Sequence, residues 1–369
     1  MKQYDIAAIV WPSYTGDERR AKMFWPEGMG EWETVKNCTS KGTEQIWPRK
    51  PLWGYVNEAN PDVMEMQINC ALRHGVNVFI YDWYWYDDRP FLENCLNDGF
   101  LKAPNNEKMK FYLMWANHDA THLWDPRIAD DYDEDVIWDG KVNFERFTHI
   151  VKRVIEKYFH KPNYYKINGK PVFMIYELFN LINGFGSAEE TVKALEYFRD
   201  ETVKAGFPGL HLQANCPSMG MFRRNPQLAK LVYDAKGFSA LGYDSFSNYQ
   251  YRQMTDTTGD YLEVLERIKK KYNDYDRDFC NSPYFPHVSI GWDNTPRYQK
   301  NQPMLTTGSS PDRFEKALLT AKEYVDTHDL PVPLITVNSW NEWTEGSYLE
   351  PDNLTGYGYL EAIKKVFKD

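Results

Sequence analysis

Cysteine is scarce and without pattern in this sequence. The five present, Cys38, Cys70, Cys95, Cys216 and Cys280, are odd in number and contain no C-x-x-C pair. Neither a structural zinc site nor a disulfide framework is signalled. Long apolar runs are missing as well. No stretch approaches the roughly 18 uninterrupted apolar residues of a membrane helix, so a helical span is excluded and no membrane partner is expected. Basic runs are absent, and 43 Lys plus Arg against 53 Asp plus Glu leave a net charge of −10. A nucleic-acid partner is therefore not expected. The chain also lacks a G-x-S-x-G elbow, a P-loop and a dinucleotide fingerprint. Its start, Met1-Lys2-Gln3-Tyr4-Asp5, has no signal-peptide shape. That fits a cytoplasmic chain, or a periplasmic one numbered after a removed leader.

Aromatic residues are abundant instead. Trp, Tyr and Phe make up 16% of the 369 residues, and many of the 13 Trp adjoin Asp, Asn, Glu or Pro. Two readings stand at this point: bulky filler for a large core, or a cleft paved with flat faces and rimmed by polar groups, as sugar rings require. At 42% hydrophobic residues, the chain can build a sizeable core.

Short apolar runs alternate with helical periods. Strands are expected at about 4–11, 76–83, 110–116, 171–176, 209–214, 238–243, 287–292 and 333–339. The runs are continuously apolar, as in parallel strands covered on both faces. Between them, Asn60-Pro61 opens a helix that Gly75 closes, and Phe144 to Tyr158 keeps a helical stripe. Ser187 with Glu190 reads as a capping box ahead of a helix ending at Gly206, and Ser310-Pro311 opens another. Eight strands with intervening helices predict a single (β/α)₈ TIM barrel of class α/β. No repeat, low-complexity tract or linker interrupts it, so one domain over 1–369 is expected. The irregular stretches 12–58 and 117–140 become loops over the C-terminal face.

Barrel enzymes carry their chemistry where strands end, and these strand ends are polar and aromatic. In order they deliver Trp11, Tyr81-Asp82, Trp115 with Asn117-His118-Asp119, Tyr176-Glu177, Asn215, Tyr243-Asp244, Trp292-Asp293 and Trp340-Asn341. Glu342 and Glu345 follow the last strand. Such a pair can serve as the proton donor and second carboxylate of glycosidic cleavage, or it can be a solvated acidic pair at a helix N-terminus. His118 and His122, near Asp119 and Asp125, have the i, i+4 spacing of a metal pair. Their irregular context favours polar contacts, so no metal and no cofactor is expected.

The stretch NSWNEWTEGSYLEPD (338–352) resembles the strand-eight signature of glycoside hydrolase family 99 and of the related WbsX-type proteins. The WbsX resemblance extends through YDIAAIVWPSY, VFIYDWYWYDDRPFLE (78–93), INGKPVFMIYE (167–177), IGWDNTPR (290–297) and YLEPDNLTGYGYLEAI. Family 99 places both catalytic glutamates in an E-W-x-E motif on a (β/α)₈ barrel. Its members are retaining endo-α-mannosidases working through the sugar 2-hydroxyl and a 1,2-anhydro intermediate. The resemblance implies Glu342 as base toward that hydroxyl and Glu345 as general acid/base. Two departures stand out. Thr344 replaces the usual His, and Trp115-Ala116-Asn117-His118-Asp119 replaces a W-A-N-E-N-W-like run. The expected protein is a glycoside hydrolase acting on an α-linked, mannoside- or rhamnoside-like oligosaccharide or polysaccharide. Its expected sugar-binding wall is Trp11, Tyr81, Asp82, Trp115, Asn117, His118, Tyr176, Glu177, Tyr243, Trp292, Asp293, Trp340 and Asn341. The alternatives are a WbsX-type glycosyltransferase of polysaccharide biosynthesis and a non-catalytic glycan-binding barrel.

Overall fold

The computed structural model of the protein describes residues 3–16, 18–42, 46–300 and 304–368. Positions 17 and 43–45 of the first long loop lie outside these. Eight parallel strands form the centre: β1 (Asp5–Val10), β2 (Val78–Tyr86), β3 (Lys110–Trp115), β4 (Lys170–Ile175), β5 (His211–Asn215), β6 (Ser245–Ser247), β7 (His287–Ser289) and β8 (Leu334–Asn338). Each pairs with the next from β1 to β6, β7 pairs with β8, and β8 returns to β1. Between β6 and β7 closure rests on a single bridge. Phe246 N–H donates to Pro283 O at 3.0 Å, and Phe285 N–H donates to Phe246 O at 2.9 Å. The result is a nearly closed (β/α)₈ barrel.

The outer layer holds α1 (Pro61–His74), α2 (Phe144–Val154), α3 (Ala188–Lys204), α4 (Pro226–Asp234), α5 (Tyr261–Asp278), α6 (Pro311–Thr327) and α7 (Gly358–Phe367). The caps act as the sequence indicates. Asn60 Oδ1 accepts from Asp62 N–H, and Gly75 ends α1 with φ 99°, a conformation that costs glycine little. Ser187 accepts from Glu190 N–H. After β2 the crossover is not an α-helix but a π turn (Cys95–Gly99) running into a 3₁₀ turn (Phe100–Lys102).

Strand β6 corrects the sequence reading. The apolar run 238–243 is a buried 3₁₀ turn (Phe238–Leu241) reversed at Gly242, and the strand itself is Ser-Phe-Ser. Its hydroxyls point into a polar barrel interior. Ser247 Oγ reaches Thr336 Oγ1 across β7 at 2.8 Å, and Ser245 Oγ meets His211 Nε2 at 2.8 Å. His287 bonds Thr336 and Ser289 at 2.9 and 3.0 Å, and burial pushes its pKa down to about 3. The half of the barrel from β5 to β8 is thus lined by buried polar groups, most of them hydrogen-bonded to one another, which apolar-run counting does not detect.

The long loops carry order of their own. The stretch 117–140 contains a two-strand ladder, Ala120–Thr121 with Val136–Trp138. Trp124 from this loop packs on Trp11, Phe24, Tyr84 and Phe91 at centroid separations of 5.4–6.1 Å. Much of the aromatic excess therefore cements loops to the barrel mouth.

Candidate active site

After β8 the chain makes a tight excursion. Asn341-Glu342 pairs antiparallel with Ser347-Tyr348, and a 3₁₀ turn, Trp343–Glu345, closes it. Gly346 turns the chain back at φ 62°, and a Cβ there would lie 2.8 Å from the Asp293 side chain. Both glutamates are held inside, Glu342 at 1% exposure and Glu345 at 7%.

One guanidinium ties them together. Arg297 Nη2 donates to Glu342 Oε1 at 2.7 Å, Nη1 to Glu345 Oε1 at 2.8 Å, and Nε to Thr344 Oγ1 at 3.1 Å. Arg297 is itself buried, and it follows β7 on the turn Thr295–Arg297. Thr344 passes the chain of contacts on, donating to Glu31 Oε1 at 3.1 Å, while Glu31 also accepts a short bond from Trp11 Nε1–H. On the other side, Tyr249 OH contacts Asp82 Oδ2 at 3.1 Å and Glu342 Oε2 at 3.4 Å. Among the described residues, two buried carboxyl oxygens of this group have no hydrogen-bond partner: Glu345 Oε2 and Asp82 Oδ1.

Three buried carboxyl groups, Glu31, Glu342 and Glu345, thus share one buried cation, and Asp82 joins them through Tyr249. Burial, before any charge effect, raises Glu342, Glu345, Glu31 and Asp82 above the ordinary carboxylate range. Glu345 adds to the rise in Glu342, and Arg297 opposes it in Glu31, Glu342 and Glu345. In both glutamates burial thus favours the protonated form, and Arg297 works against it.

The other expected residues divide by direction. Trp11, Asp82, His118 and Tyr176 gather at the mouth. His118 packs edge-on to Tyr84, Trp124 and Tyr176 at 5.6–5.8 Å, and burial lowers its pKa, which keeps it neutral. Trp292 stands at the rim with the Arg252 guanidinium 4.9 Å from its ring centre. Tyr81, Trp115 and Trp340 point to the helix layer. Tyr81 packs on Phe100, Trp115 stacks on Phe147 of α2, and Trp340 Nε1–H donates to Gln67 of α1 at 3.1 Å.

Several polar groups are occupied with backbone. Asn117 exchanges two bonds with Glu177, at 2.7 and 2.8 Å, and Asn341 does the same with Trp11 at 2.8 and 2.9 Å. Asp293 accepts from Trp47, Arg49 and Thr295. Glu177 caps the helix Leu178–Phe185, and burial pushes its pKa up to about 7. Tyr243 precedes β6, and so does not stand at a strand's C-terminal end.

Sequence reasoning did not single out Arg297, Tyr249, Glu31 or Arg252. Arg297 stands at the end of the quoted IGWDNTPR run, and a lone cation after a barrel strand opposite an acidic rim was the available signal. Glu31 and Tyr249 carried none, because loops bring them in from afar. No group of three or more His, Cys, Asp or Glu among the described residues is arranged to hold a metal ion. No described helix is long and apolar enough to cross a membrane.

Comparison with known proteins places this arrangement. A family model described as "Glycosyltransferase WbsX" matches residues 6–363. An uncharacterized protein, WxcX, of Xanthomonas campestris pv. campestris is 25% identical over 348 residues, 93% of this chain and 47% of that protein. This chain spans about half the length of the curated relatives it matches. Among solved structures, the GH99 endo-alpha-mannosidase from Bacteroides thetaiotaomicron superposes with a TM-score of 0.63 at 14% identity. The match covers 99% of this chain and 97% of that one. A glycoside hydrolase-like protein gives 0.63 at 16% identity, with 100% and 95% covered. These likenesses establish the barrel as one shared with glycoside hydrolases.

Proposed function

Starting from a chain that belongs to the WbsX family, we propose a glycoside hydrolase that cleaves an α-linked glycan with retention, using Glu342 and Glu345. The observation that carries this is the buried pair on one short turn, joined through Arg297, with Glu345 Oε2 left unpaired. Glu345 is the general acid/base: its free oxygen is the one that can reach a leaving group. Glu342 is the base toward the sugar 2-hydroxyl, as the family 99 likeness implies.

The scheme balances without an outside reagent. Glu342 takes the 2-hydroxyl proton while that oxygen bonds to the anomeric carbon. The glycosidic bond breaks, and the leaving oxygen takes the proton of Glu345. Water then opens the 1,2-anhydro ring, giving its proton to Glu345 as the 2-oxygen recovers one from Glu342. The substrate needs a free 2-hydroxyl trans to the leaving group, as α-mannosides and α-rhamnosides have. Around it, Trp11, Asp82, His118 and Tyr176 form the sugar-facing wall, with planar rings for stacking and polar groups for hydroxyl positions.

Proton NMR of the first product, recorded before mutarotation, tests this. Retention is expected, together with inertness of a 2-deoxy substrate. An inverted anomer, or rapid cleavage of the 2-deoxy analogue, contradicts the mechanism. The description of the WbsX family favours a transferase as second reading. Against it stands the single barrel sheet among the described residues, with no doubly wound nucleotide domain, and the absence of basic runs that would mark a diphosphate site.

A further inference from the structure

Behind the turn Trp343–Glu345 lies a cavity of about 260 Å³, bounded by the β7 end, the segment 305–309 and the turn 352–355. We propose that it is a binding pocket for one neutral pyranose unit, in a wall that includes neither Glu342 nor Glu345. The inference deepens the glycan reading of the molecule, because the pocket would hold a remote residue of the same substrate.

Three observations support it. The first is size. At about 30 Å³ per water, the volume equals that of roughly nine waters, and it falls just short of the roughly 300 Å³ at which ordinary ligand pockets begin. One sugar ring fits and an extended chain does not. The second is unsatisfied polarity. Trp292, Ser309 and Arg49 all line the pocket, and among the described residues Trp292 Nε1, Ser309 Oγ and Arg49 Nε are buried with no hydrogen-bond partner. Buried donors without partners are uncommon in native proteins, and three border this one cavity. Trp292 is 8% exposed, so its indole N–H is shielded from bulk water.

The third is charge. The carboxylates in the wall are already engaged. Asp293 holds Arg49 at 3.0 Å and Trp47 at 2.9 Å, and Asp352 accepts from Tyr348 OH and from the Leu354 and Thr355 N–H groups at 2.6–3.0 Å. An anionic ligand would face those two carboxylates, and a cationic one would face Arg49. What remains unmatched is the Trp292 indole N–H, the Ser309 hydroxyl and one N–H of an Arg49 already paired with Asp293, beside aromatic surface from Trp292 and Tyr359. A hydroxyl-rich neutral ring matches that set.

The pocket also touches the chemistry. Gly346, which follows Glu345, is in its wall, and Asp293 N–H donates to Glu345 O at 2.7 Å. A ring seated here would press on the segment that holds the acid/base.

The test uses the full chain labelled with fluorotryptophan, the Trp292 signal being assigned by its loss in Trp292→Phe. Methyl α-mannopyranoside, methyl α-rhamnopyranoside and glucuronate are titrated separately. A neutral pyranoside should shift the Trp292 signal in the wild type and in Glu345→Gln alike. Thr307→Trp, which fills the pocket, should abolish the shift, and Ser309→Ala should weaken binding about fivefold. Glucuronate should bind more weakly than either neutral sugar. The proposal fails if neither neutral sugar shifts the signal, if the shift survives Thr307→Trp and Ser309→Ala unchanged, or if glucuronate binds best. Absence of any hydrolysis would remove the catalytic reading and leave this binding result intact.

Discussion

At the residue scale the account turns on Arg297. It faces the Glu342 and Glu345 carboxyl groups from a buried position, and removing one partner of such a cluster leaves uncompensated charge in low dielectric. Arg297→Leu should lose about 3–5 kcal/mol of stability at neutral pH in denaturant unfolding. The loss has a defined pH sign. Without the cation, Glu342 and Glu345 titrate even further above their unfolded values. Their folded forms then hold extra protons, so the deficit should be small in acid and grow as pH rises. A deficit that is constant with pH would show that Arg297 acts through packing alone. Glu342 and Glu345 were legible in the sequence because an E-W-x-E run is compact. Arg297 was not, since its role depends on the segments after two neighbouring strands, β7 and β8, folding onto each other. Direction was also hidden: Trp11 and Trp115 both end strands, yet one reaches Glu31 at the mouth and the other stacks on Phe147 outside.

At the scale of elements, asparagines fasten neighbouring strand ends. Asn341 joins β8 to β1 through both backbone groups of Trp11 and also donates to Glu58 at 3.0 Å. Asn341→Ala strands those buried groups and should cost about 1–3 kcal/mol. An unchanged denaturation midpoint would remove the clip from the account. Behind it, Glu58 shares Gln67 with Glu350, at 3.1 and 2.8 Å, and burial pushes the Glu58 pKa up to about 7. The unfolded value is about 4.3. Folding is therefore favoured fully below that pH and progressively less as pH rises through 7. Glu58→Gln should flatten this part of the melting-temperature profile, and an identical slope in the variant would contradict the assignment. Strand β6 failed in the sequence reading for a related reason. Ser245 and Ser247 are satisfied by other buried polar groups, and a two-serine strand offers no apolar run to find.

For the whole molecule, the barrel was legible because β1 to β4 are nearly continuous aliphatic and aromatic runs, and because caps at Asn60, Ser187 and Gly75 mark the helices. The aromatic composition goes largely into the core and into loop packing. Trp124, Phe24 and Phe91 bind the loops to the mouth, and Trp292 borders a cavity. The central claim is that this barrel hydrolyses a glycan through Glu342 and Glu345. Its most direct test is a glycan panel digested in oxygen-18 water by the wild type and by Glu345→Gln, read by mass spectrometry. The account predicts new reducing ends carrying one oxygen-18 atom in the wild-type digest, reduced about 10²–10⁴-fold in the variant. Equal cleavage by Glu345→Gln, or glycan extension from a nucleotide sugar with no labelled reducing end, would contradict it.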